Sequence, residues 1–374
     1  MSEPKVFQLC HEPIKSHVFS KNKDILAITK GTNVEIYQVG NLSTKPKLFA
    51  VLKEHDKTVT SVDISPDGSS ILTCSQDRNA LVWQWDSLAN EFKPTLVLLR
   101  INRAATCCKW SPDGKKFAVA SSDRIVAVCY YEEENNWWVS KHLKKPLKST
   151  ITSLDWHPDG VLLACGSTDG HARVFSAYIK GLDEKPPASV WGTKLPFQTV
   201  CGDYVNETGA WVHDVSFSPD GNALSYVSHD ASVGIVYPDG EGQPPRSILS
   251  VNTDNLPLKA VVFLSNNKIV VGGYSCNLLV LEGDESNWAV TRTIEPQNDV
   301  TNLPVGQDED EEISSHQALN MFRQMDLKGR AQRASAGAKQ SNTTHQNTIE
   351  SIQMFSQNQV STGGIDGKVV IFTI

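Results

Sequence analysis

The 374-residue sequence twice sets a histidine, a hydroxyl residue and an aspartate at matched distances, the makings of an acid–base relay. His55, Thr73 or Ser75, Asp77 and Trp83 form the clearer set. His345, Thr362, Asp366 and Phe372 form the other, with Phe in the Trp position. Two chemistries use these types: nucleophilic catalysis, in which a base activates a hydroxyl, and a structural network that gives a buried Asp its hydrogen-bond partners. Recurrence decides for the second. A catalytic nucleophile is one of a kind in its chain, and the sequence holds no GxSxG elbow, P-loop, HExxH or dinucleotide fingerprint. The eight cysteines (10, 74, 107, 108, 129, 165, 201, 276) show no CxxC pair and no metal-ligand spacing. They read as buried free thiols of a reducing compartment, so neither a metal nor a cofactor is expected, and no enzyme.

The elements that position these residues are repeated too. Ser65-Pro66-Asp67-Gly68 returns as Ser111-Pro112-Asp113-Gly114, His157-Pro158-Asp159-Gly160 and Ser218-Pro219-Asp220-Gly221, at intervals of 46, 46 and 61 residues. Before each turn stands an alternating strand (TVTSVDI, ATCCKW, TITSLDW, WVHDVSF), and after it a second apolar strand. Then come an Asp (77, 123, 169 or 230) and a third strand. Pro presets φ at such a turn and Gly supplies positive φ. Weaker copies occupy 14–39, 256–284 and 345–374, making seven units. Such a period predicts an all-β, seven-bladed propeller spanning 1–374. The last unit is one strand short, and Lys5 to Leu9 is placed to supply it and close the ring, leaving no free edge. Interval 179–208, rich in Pro and Gly, is expected as a loop insertion. The units resemble the WD family, whose blades carry His, Asp and Trp at fixed offsets. Phe175, Val236 and Cys129 stand where that pattern has Trp, so those tetrads are expected to be incomplete.

A net charge of −7 with scattered Lys and Arg leaves one short basic stretch near 323–339, which argues against a nucleic-acid face. No run of 18 apolar residues exists to span a bilayer as a helix. Met1 to Leu9 carries charges and Pro4 without an apolar core, so a secretory signal is not expected and the cytoplasm is.

Interval 296–344 breaks the pattern for about fifty residues. It opens with the acidic run 307–312 and continues with apolar residues at 318, 321, 322 and 325, one face of a helix over 313–327. Ser314 or Ser315 can cap its start, and Lys328 and Gly329 suit its end. A helix of that length is marginal alone in water. Three outcomes stay open: docking of its stripe in a partner's groove, docking on its own propeller, or no fixed structure.

Taken whole, the chain resembles the WD-repeat subunit of the actin-related-protein complex, the nucleator of branched actin filaments. The specific marks lie largely outside the repeat: Phe7-Gln8-Leu9 with His11-Glu12-Pro13-Ile14, Ser75-Gln76-Asp77-Arg78-Asn79-Ala80, Ile101-Asn102-Arg103-Ala104-Ala105-Thr106, and the Met-Phe stripe before the last blade. The resemblance implies a scaffold at cortical actin structures such as actin patches. It would contact two actin-related proteins, small helical subunits, the actin filament and nucleation-promoting factors, with neither nucleic-acid binding nor membrane insertion. It also implies that Leu319, Met321, Phe322 and Met325 insert into a partner with Arg323 at the rim, and that Arg103 marks a subunit contact or a plain connecting loop. A different adaptor, recruiting substrates to a ubiquitin ligase for example, would share the blades but not these marks.

Overall fold

Apolar alternation over six or seven residues makes short strands buried on both faces, and Pro-Asp-Gly turns fold them into meanders. The computed structural model describes residues 3–40, 42, 44–193, 195–240, 242–295 and 343–374, which form 28 strands, β1 to β28. They make seven four-stranded antiparallel sheets, the blades, over 17–52, 59–97, 105–143, 151–205, 212–252, 258–294 and 349–373. The seventh takes its fourth strand from β1 (Lys5–Gln8), which pairs β28 (Lys368–Thr373) with Lys5 opposite Ile371 and Phe7 opposite Val369. The ring is closed by the N-terminal strand, as expected. Core lies between blades: Leu72 and Val82 of the second blade pack with Trp110 and Phe117 of the third. In the Pro-Asp-Gly turns the glycines have φ between 71° and 76°.

Among the innermost strands, β6 (Val59–Ile64), β10 (Ala105–Trp110), β14 (Ile151–Trp156) and β18 (Val212–Phe217) each carry a bulge after the first residue. A bulge re-aims one side chain. Thr60, Thr106 and Thr152 at these bulges donate to the next blade's Ala105, Ile151 and Val212 carbonyls at 3.0, 2.6 and 2.6 Å.

Two expected boundaries move. Within 179–208, residues 200–205 are β17 (Val200–Val205), the outer strand of the fourth blade. The irregular chain before it folds back on the ring. Trp191 is fully buried and donates its indole N–H to the Gly221 carbonyl at 2.7 Å. Asp183 pairs with the buried Lys116 ammonium, which also reaches the Ala177 carbonyl and lies over the Trp156 ring. Likewise Ala105 and Thr106 belong to β10, so the loop that begins at Ile101 ends at Ala104. The helix over 313–327 lies outside the described residues.

Candidate functional site

The first histidine set closes into one chain of donors. Trp83 Nε1–H donates to Thr73 Oγ1 at 2.9 Å, Thr73 lies 2.8 Å from His55 Nε2, and His55 Nδ1 lies 2.8 Å from Asp77 Oδ2. The Asp77 carboxylate can only accept, so Nδ1–H donates to it, and in the singly protonated ring Nε2 accepts the Thr73 hydroxyl proton. Asp77 also accepts from the Asp56 and Asn79 amides at 3.1 and 2.8 Å, pinning the turn. Thr73, not Ser75, is the hydroxyl partner; Ser75 donates to the Lys57 carbonyl at 2.8 Å. The triad has the order of a hydrolase, yet Thr73 is 0% exposed and no substrate carbonyl can reach its oxygen. This is a clamp.

The seventh blade repeats it without the indole: His345 Nε2 is 2.7 Å from Thr362 and Nδ1 is 3.1 Å from Asp366. With Phe372 opposite Val360, no N–H comes from the Trp position, and Thr362 sits 3.3 Å from the Val370 carbonyl. Cys129, Phe175 and Val236 occupy the register position of Trp83 in their blades. Their turn aspartates find other partners. Asp123 takes the Asn102 amide at 2.9 Å, and Asp230 takes Thr208 at 2.6 Å. Asp169 takes the buried Arg173 at 2.9 Å, whose Nε lies 3.1 Å from Asp203. Burial pushes the Asp169 carboxyl up, but the Arg173 guanidinium outweighs it and holds it below the ordinary range.

Sequence reasoning missed how the blades are latched to each other around the channel. Asp63 accepts the Trp110 amide and Asp155 the Phe217 amide, both at 2.7 Å, and Asp214 accepts the Val261 amide at 2.9 Å. Lys109 bridges to Asp155 at 2.6 Å. His17 joins the first and seventh blades, with Ser351 at 2.7 Å and Ser361 at 2.9 Å. Burial first, then the charge of His345, pulls the His17 pKa down to about 3, so the ring latch is neutral. Burial pushes the Asp63 carboxyl up to about 6 and Asp214 up to about 7 despite their amide donors. A signal was available: Asp one residue before the last aliphatic or aromatic residue in SVDI and SLDW.

All eight cysteines are free, six of them buried, and burial pushes Cys107 and Cys165 up to about 12. Among the described residues no group of three or more His, Cys, Asp or Glu is placed to hold a metal ion. Nor is any helix there long and apolar enough to cross a membrane. Arg103 is exposed on the loop entering β10, while Ile101 is buried. Leu319, Met321, Phe322, Arg323 and Met325 lie outside the described residues. The strands that flank them are β25 (Trp288–Ile294) and β26 (Ile349–Ser356), so interval 296–344 connects the sixth blade to the seventh.

The family model for the WD domain, G-beta repeat, matches residues 46–84, 99–128 and 139–176. A relative from Saccharomyces cerevisiae, "Actin-related protein 2/3 complex subunit 1", is 45% identical over 387 residues, covering 99% of this chain and 97% of its own. The protein of the same name from Schizosaccharomyces pombe is 44% identical over 217 residues, 55% of this chain and 56% of its own length. "Actin-related protein 2/3 complex subunit 1A-B" of Xenopus laevis is 40% identical over 210 residues, 54% of this chain and 52% of its own. The match therefore spans about half the length of the S. pombe and frog proteins and nearly all of the S. cerevisiae one.

Proposed function

The chain belongs to the actin-related protein 2/3 complex subunit 1 family, and from that premise we propose that it works as a non-catalytic scaffold in assembling the actin-nucleating complex and in nucleating branched filaments. The observation that carries this is likeness along the whole chain, 99% of it at 45% identity, rather than in the blades alone. A substrate-recruiting adaptor would share the repeat without that extent. The geometry supports the same reading: His55, Thr73 and Asp77 are spent on each other, and a ring whose seventh blade is completed by the N-terminal strand is a rigid mount for loops on two faces.

Its partners are two actin-related proteins and the small helical subunits, in the cytoplasm at cortical actin, with nucleation-promoting factors acting nearby. The stripe Leu319, Met321, Phe322 and Met325 docks in a groove of actin, an actin-related protein or an activator, with Arg323 at its rim, and Arg103 adds a subunit contact. Support comes from the apolar i, i+3, i+4, i+7 spacing of residues 318, 321, 322 and 325, beside Leu319, and from the position of the interval between two blades.

Gentle purification of the tagged native protein, sized by gel filtration and identified by mass spectrometry, tests the assignment. A stoichiometric assembly with two actin-related proteins is expected; elution as a monomer or with ubiquitin-ligase components would overturn it. For the stripe, Met321→Ser with Phe322→Ser should leave assembly intact and lower branching activity. Normal branching by that variant would sink the docking role.

A further inference from the structure

Three large side chains project from the loops of the fifth and sixth blades: Trp211, Leu256 and Tyr274, at 54%, 58% and 40% exposure. They form one surface. The His229 amide donates to the Trp211 carbonyl at 2.9 Å, and the His229 ring lies 6.0 Å from Trp211 and 6.3 Å from Tyr274. The Leu256 amide donates to Ser275 at 3.0 Å and the Tyr274 amide to the Pro257 carbonyl at 3.1 Å, which binds the two loops together. Among the described residues neither the Trp211 indole N–H nor the Tyr274 hydroxyl has a hydrogen-bond partner. By contrast, the exposed Phe49 and Trp85 pack on each other and on the half-buried Phe92, with centroids 5.0 to 6.4 Å apart.

Scattered apolar side chains on a surface are ordinary, but a contiguous patch with Trp and Tyr is the composition of binding hot spots. Among the described residues the charge carried by these loops is acidic. Glu207, Asp230 and Asp254 are exposed on the same loops. Lys259, the cation nearby, pairs with Glu350 at 3.9 Å on the channel side. His213, behind the patch at 2.9 Å from His229, adds no compensating charge: burial, then Lys259 and His229, pull its pKa down to about 4.

We propose that this face of the fifth and sixth blades docks a partner protein's segment that presents aliphatic side chains flanked by lysine or arginine. The aliphatic groups cover Trp211, Leu256 and Tyr274, a polar atom of the segment meets the indole N–H and phenol, and the cations meet Glu207, Asp230 and Asp254. The proposal rests on the scaffold reading and names the face through which it is exercised.

The test is co-expression of the full chain with the other subunits of the complex, with the affinity of assembly measured for two variants. Trp211→Ser with Tyr274→Ser removes the apolar centre; both side chains are exposed, so the blades keep their cores. Glu207→Arg with Asp254→Arg reverses the rim. Both should weaken assembly at least about tenfold. The rim effect should fade between about 50 and about 500 mM NaCl while the aromatic effect persists. Trp211→Phe, keeping an apolar ring, should recover most of the loss. Equal assembly of wild type and both variants would overturn the docking surface and leave the scaffold reading standing. A wild-type chain that joins no such assembly would overturn both.

Discussion

Removing the Thr73 hydroxyl is the sharpest probe of the clamp. Thr73→Val keeps the shape and deletes the oxygen that accepts from Trp83 Nε1 at 2.9 Å and lies 2.8 Å from His55 Nε2. Both side chains stay buried, and among the described residues neither Trp83 Nε1 nor His55 Nε2 has another hydrogen bond, so two unpaired polar atoms remain, each costing about 1–3 kcal/mol. A total loss of about 3 kcal/mol follows. Trp83→Phe deletes one donor and leaves no orphan, because Thr73 keeps its bond to His55. That loses about 1 kcal/mol for the bond and about 1 more for the smaller ring. The double variant should then fall short of the sum by about 1 kcal/mol, since Trp83 can no longer be orphaned. Urea unfolding of the purified chain, read by midpoint and slope, measures all three. If Thr73→Val costs no more than Trp83→Phe, or if the two add, the reasoning about the network is wrong.

Asp214 titrates near 7 in the folded chain against an ordinary carboxylate value of 3.8, so the folded state holds an extra proton between those values. Stability from this group is present in acid and lost as pH rises through about 7; relative to wild type, Asp214→Asn should gain stability from about pH 4 to about pH 8. A pH-independent difference would refute it. Deleting residues 1–9 removes β1 and the buried Phe7, costing at least about 3 kcal/mol. The bared β28 edge should then make the chain self-associate on gel filtration, and a monomer of unchanged stability would count against the closure. Trp191→Ala should cost about 3–5 kcal/mol, and proteolysis should begin earlier within 180–190. Unchanged cleavage would mean that Trp191 does not hold the loop to the ring.

The repeat itself made the fold legible. Each blade is a local meander whose alternation and Pro-Asp-Gly turn are written within about forty residues, so seven blades, the missing strand and the Trp-equivalent positions of Cys129, Phe175 and Val236 could be read without coordinates. The His55 network was legible for the same reason, since His55, Thr73, Asp77 and Trp83 fall within one repeat. Function was carried by the stretches between repeats, where a family likeness is specific. What the tertiary structure decided is whatever depends on two blades at once. The latches of Asp63, Asp155, Asp214 and His17, the burial of Trp191 under Gly221, and the joining of Trp211 to Tyr274 link residues 30 to 344 positions apart or on separate loops. No local pattern records such pairs, because they arise only when the ring closes and sets each inner strand against the next.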